Sequence, residues 1–106
     1  MSKTVYIAGP YTQGDVAVNV RHAILAGEEL LYAGFVPFIP HLTHFWHLLF
    51  PHQIDFWYKY DLEWLERCDY LLRLPGDSPG ATVEVGHAEA FGIPVYYSIG
   101  DLIRAL

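Results

Sequence analysis

Thr4-Val5-Tyr6-Ile7-Ala8-Gly9-Pro10 carries the reading of the fold. Five β-prone residues run without a charge and stop at a Gly-Pro pair that punctuates a turn, which is the pattern of a short buried strand. Outward from it, Val18, Val20, Ile24, Leu25, Leu30 and Leu31 recur at helical spacing between about Val16 and Tyr32, with Gly34 as a stop. Phe35-Val36-Pro37-Phe38-Ile39 predicts a second strand, and Pro37, which lacks a ladder donor, argues for an edge position. Residues 40–53 contain Pro51 and are dense in His, Phe, Trp and Leu, predicting a loop that carries a short helix.

The second half repeats the alternation. Asp55 to Arg67 has helical spacing, Asp69 to Leu74 reads as a third strand, and Pro75-Gly76-Asp77-Ser78-Pro79-Gly80 is turn chemistry. A helix over about Ala81 to Phe91, a fourth strand over Pro94 to Tyr97 and a last short helix near Ile99 to Ala105 complete a βαβαβαβα order. The expected fold is α/β: one domain over residues 1–106, a doubly wound parallel sheet of four to five strands, Rossmann-like or flavodoxin-like. Ligands in such sheets bind beyond the carboxyl ends of the strands where strand order reverses. Gly9 to Gln13 and Gly76 to Glu84 are therefore the segments expected to hold the chemistry.

Composition narrows the partners. Twelve acidic against six basic residues, a formal charge of -6, leave no cationic surface for a polymeric nucleic-acid backbone. Apolar runs are broken by Pro, His and charges well short of membrane-spanning length, so no membrane segment is expected. One cysteine, Cys68, and a start without signal-peptide layout predict a cytoplasmic setting, with Cys68 buried and inert. A 53% hydrophobic content exceeds what so small a core covers and predicts a homodimer or higher homo-oligomer.

Glu84 follows a turn into a helix, where Ser78 or Asp77 would cap and a carboxylate would complement the helix dipole. Tyr6 lies in the first strand near the expected switch point, although alternation alone leaves its facing open. Asp61 lies on the helix before the third strand. A tyrosine hydroxyl can orient a glutamate, and a second carboxylate can protonate a leaving group, the pair that glycosidic bond cleavage requires.

Three stretches resemble the nucleoside 2-deoxyribosyltransferase family, including its branch that hydrolyses 2'-deoxynucleoside 5'-monophosphates. They are Lys3 to Tyr11, Asp61 to Asp69, and Ser78-x-Gly80-x-x-x-Glu84-x-Gly86-x-Ala88 followed by Gly92-Ile93-Pro94-Val95. The resemblance implies cleavage or exchange of the N-glycosidic bond of a small nucleoside or nucleotide, without metal or organic cofactor. By position it implies Glu84 as nucleophile, Tyr6 as the residue that positions it, Asp61 as the group that protonates or holds the base, and Ser78 as a contact to the sugar or its 5' group. Gly9, Pro10, Tyr11 and Gly80 fall on its ligand-facing segments, the two glycines allowing close backbone approach. Pro10 and Thr12 stand where the monophosphate branch has a phosphate-holding serine and arginine, so a 5'-phosphate is less well provided for. The chain also ends soon after the fourth strand, where the transferases continue into a neighbouring subunit's site.

His41, His44 and His47 follow Pro40 at three-residue spacing and admit a metal reading, but no carboxylate or cysteine in that loop completes a zinc signature. A lid that stacks on a base, with His41 at the ligand, is the other functional reading, and core or interface packing the bland one. Trp64 is expected in the core. His87, one turn after Glu84, either tunes it or is a surface histidine. A rival to catalysis is a nucleotide- or nucleotide-sugar-binding sensor with the same pocket and no reaction, and a third reading is a metal-dependent hydrolase.

Overall fold

In the computed structural model, which describes residues 2–106, strand β1 (Thr4–Ala8) is the centre of the molecule. It is flanked by β2 (Val36–Phe38) on one side and β3 (Tyr70–Arg73) on the other, and β4 (Val95–Tyr96) completes a parallel sheet of order β2-β1-β3-β4. The expected doubly wound α/β fold is the one formed, in a four-strand version. Its order reverses between β1 and β3, which is the flavodoxin-like switch point.

Side-chain alternation along β1 divides the core between the two faces of the sheet. Val5 and Ile7 join Ala23, Leu30, Phe35, Leu72 and Leu102 under α1 (Val16–Tyr32) and α5 (Ile99–Arg104). Tyr6 and Ala8 join Leu65, Leu71, Ala81, Ala88 and Ile93 under α3 (Ile54–Leu65) and α4 (Pro79–Ala90). The facing of Tyr6, open in the sequence, is thus fixed toward α3 and α4.

Pro37 sits opposite Val5 on edge strand β2, where its missing N–H costs no ladder bond on the outer side. At the amino ends of β1 and β3, Thr4 and Asp69 bind each other reciprocally. Thr4 N donates to Asp69 Oδ2 at 2.8 Å, and Asp69 N donates to Thr4 Oγ1 at 2.9 Å.

Two expectations are corrected. The helix expected from Ala81 begins at Pro79, because Ser78 Oγ accepts from Ala81 N at 3.0 Å and Pro79 takes the first helical position, where no N–H is needed. Trp64 is 42% exposed rather than in the core; its ring stacks on Phe38, 5.1 Å between centroids, and covers the edge of the sheet. Residues 40–53 form a 3-10 turn (Pro40–Leu42) and α2 (Thr43–Leu49) before the chain reaches α3.

Candidate active site

Helix α4 buries one stripe against the sheet, and its members are Ala81, Glu84 and Ala88. Spacing of three and four places all three on one side. A carboxylate therefore occupies a position where the packing pattern calls for an apolar side chain. Glu84 is 8% exposed and accepts a hydrogen bond from the hydroxyl of Tyr6, itself wholly buried. Burial pushes the Glu84 carboxyl up to about 7, against the lowering effects of the Tyr6 bond and of Arg73. Burial first, then the Glu84 carboxylate, holds the Tyr6 phenol well above its ordinary range, so it remains a donor.

Glu84 lies in the wall of a cleft of about 520 Å³ on the α3–α4 face of the switch point. Helix α3 supplies Ile54, Trp57, Tyr58 and Asp61 to it, spaced i, i+3, i+4 and i+7 along a single helix face. Asp61 is pushed up to about 8, by burial first and by the Glu84 charge second. Two carboxyls with displaced, adjacent titrations thus share one cavity, the condition under which one is ionised while the other still holds its proton. Neither lysine nor arginine lines the cleft. Arg73, whose charge lowers the Glu84 carboxyl, donates to the carbonyls of Leu74 and Gly76.

Of the residues expected at the site, Gly9, Tyr11, His41, Asp61, Ser78, Gly80 and Glu84 line this cleft together, and Tyr6 stands directly behind Glu84. Pro10 does not line it. It lines a second cleft, of about 490 Å³, on the opposite side of the sheet, while its carbonyl lies 2.9 Å from His41 Nε2. The room expected at the two glycines is taken by the protein itself. A Cβ on Gly9 would come within 3.0 Å of Leu74 Cβ, and one on Gly80 within 3.0 Å of the Tyr58 hydroxyl. Ser78 caps α4 as well as facing the cleft.

His87 is away from the cavity, 2.8 Å from Glu66 Oε2 and stacked on Phe91. Cys68 is half-buried, its thiol pushed up to about 11 chiefly by burial.

The histidine loop forms the far wall. Tyr11 bonds through its hydroxyl to His44 Nδ1, and His47 Nδ1 accepts from Trp57 Nε1 at 2.8 Å and from His52 N at 3.2 Å. The three imidazoles of the metal reading thus have separate partners, and among the described residues no three His, Cys, Asp or Glu side chains gather as a metal-binding group. The helical spacing of residues 55–67 does not by itself separate Trp57 and Tyr58 from packing residues, and nothing in the local sequence singles out His52. The signal was the heptad-like repeat of apolar residues that ends on Asp61, a stripe interrupted by an acid. Among the described residues no helix is long and apolar enough to cross a membrane.

A solved structure of the 2-deoxyribosyltransferase from the psychrotolerant bacterium Bacillus psychrosaccharolyticus is similar to this chain, with a TM-score of 0.66 and 24% identity over 87% of this chain and 69% of that one. At that identity the likeness is one of fold. No curated protein matches the chain. A family model described as a domain of unknown function (DUF7768) matches residues 3–98, nearly the whole of the sheet and its helices, and the chain belongs to that family.

Proposed function

We propose that this domain, residues 1–106, is nucleoside deoxyribosyltransferase-like and cleaves or exchanges the N-glycosidic bond of a small nucleoside-type substrate with Glu84 as nucleophile. The observation that carries the reading is the buried Tyr6–Glu84 hydrogen bond at the wall of a cleft that also holds Asp61. Tyr6 engages Oε2 and so fixes the plane of the carboxylate, directing the other oxygen at the sugar.

That oxygen attacks C1', a C1'–O bond forms and the C1'–N bond breaks. Its electron pair departs with the base, which takes the proton of Asp61. A second base or water then attacks C1' from the vacated side, the Glu84 ester bond breaks, and Asp61 recovers a proton from the incoming nucleophile. Which acceptor succeeds depends on how completely water is kept from the glycosyl-enzyme. The reaction uses no metal or organic cofactor, and full activity after exhaustive chelation is the expected result. The protein works in the cytoplasm on small molecules and self-associates through apolar surface beside the cleft.

Incubation with a panel of deoxynucleosides, with and without a second base, separates exchange from hydrolysis. Mass spectrometry after exposure to a 2-fluorinated deoxynucleoside should find a sugar adduct on Glu84. An unmodified protein and no turnover on any member of the panel would remove the proposal in favour of the sensor reading, in which ligand binds and nothing further happens.

A further inference from the structure

Two buried side-chain atoms among the described residues meet no hydrogen-bond partner, His41 Nδ1 and Asp61 Oδ1, and both residues line the candidate active site. A buried polar atom without a partner is uncommon enough in folded proteins to require a reason. Asp61 is chemically ambivalent, since its carboxyl donates when protonated and accepts when not. His41 is not.

His41 is held in the 3-10 turn after β2, 5% exposed, with Nε2 2.9 Å from the carbonyl of Pro10. A carbonyl only accepts, so Nε2 carries the ring proton. Burial holds the imidazole below its ordinary range, which keeps it neutral near pH 7. A neutral imidazole has one N–H, and with that at Nε2 the Nδ1 atom is a bare acceptor. His44 and His47, by contrast, already use Nδ1 with Tyr11 and with Trp57. The Tyr11 ring packs edge-on against His41, 6.1 Å between centroids, and so steadies its plane.

We infer that His41 Nδ1 is a specificity-determining acceptor, and that the ligand of this cleft presents an O–H or N–H donor to it. The inference rests on the nucleoside reading for the source of that donor, which is either a sugar hydroxyl or an exocyclic amine of the base. A ligand lacking the donor leaves Nδ1 dry and unpaired in the complex and is rejected by about tenfold to a hundredfold.

The test compares 2'-deoxyadenosine with 2',3',5'-trideoxyadenosine, which lacks both sugar hydroxyls, and with purine 2'-deoxyriboside, which lacks the amine. Dissociation constants are measured by calorimetry in Glu84→Gln protein, so that nothing is consumed, with and without His41→Gln, whose amide retains an N–H for Pro10 and places no acceptor at the Nδ1 position. Turnover is followed separately in protein with Glu84 intact. One of the two analogues should bind about tenfold to a hundredfold more weakly than the parent, and His41→Gln should erase that difference by weakening the parent alone. Nitrogen-15 NMR of the imidazoles, which needs no variant at position 41, should show the His41 Nδ1 resonance moving with the parent and not with the rejected analogue.

Equal binding of all three ligands, discrimination that survives His41→Gln, or an unmoved Nδ1 resonance overturns the inference. Binding with discrimination but without turnover leaves His41 in its role and removes the glycosidic reaction. Turnover without discrimination does the reverse. Absence of binding by all three overturns both.

Discussion

Glu84 is a packing residue to which the proposed function adds a reactive role, and its surroundings set the terms. In the unfolded chain its carboxyl titrates in the ordinary range, and in the fold only near 7. Below the unfolded value both states are protonated and burial of this group costs nothing electrostatic. As pH rises from there to about 7 the unfolded chain releases a proton that the folded one keeps, so stability falls, and above 7 the loss is complete. Glu84→Gln, which keeps an acceptor for Tyr6, should therefore be more stable than the parent protein by about 1–3 kcal/mol at pH 8 and indistinguishable near pH 4. Urea unfolding at the two pH values measures this. The same substitution should lower kcat by more than about a thousandfold.

With Asp61 titrating near 8, kcat/KM should climb as Glu84 ionises through about 7 and decline as Asp61 loses its proton above about 8, a narrow bell whose limbs belong to the pair rather than to either acid alone. Asp61→Asn should abolish the alkaline limb and lower the rate by roughly 10²–10⁴-fold. Tyr6→Phe retains the ring and removes the hydroxyl that orients Glu84, so kcat should fall while KM changes little.

At the scale of elements, α4 is placed by its first turn. Ser78→Ala removes the cap at Ala81 N and should cost about 1 kcal/mol of stability. Gly80→Ala adds a methyl against the Tyr58 hydroxyl and should displace that side chain at the cleft, raising KM more than it lowers kcat. The sequence was readable here to the extent that periodicity is local. β1 and α1 were expected over the residues they occupy, because Gly9-Pro10 and Gly34 mark their ends. The start of α4 was missed, since Pro79-Gly80 serves equally well in a turn and in a capped first turn. Trp57 and Tyr58 could not be assigned from spacing, because an apolar stripe has the same period whether a sheet or a cavity faces it. Only Asp61 within the stripe distinguishes the two.

For the whole molecule, alternation announced two buried faces on β1 but not which helices cover them; the choice follows from β3 entering beside β1, a contact between residues some 65 positions apart. A longer separation, 78 positions, hid the meeting of Tyr6 with Glu84, which resemblance implied and local pattern did not. Around α2 the molecule leaves Leu48, Leu49 and Phe50 between 61% and 66% exposed, beside Phe45 and Ile54. Contiguous apolar surface of this kind is uncommon on a monomer. Sedimentation should therefore return a species larger than the 12.1 kDa chain, and Leu49→Glu should shift it toward that mass.

Tyr6, Asp61 and Glu84 come from three distant points of the chain, and the exposed Pro75-Gly76-Asp77 bend separates the first two from the third. Severed at that bend, one fragment would own the proposed proton donor and the orienting phenol, the other the proposed nucleophile, and on that proposal each would be silent. Reassociation of the pieces would restore a reactive centre only when strand, helix and bend had all found their places, which makes the domain a starting point for a split reporter whose signal is the chemistry itself.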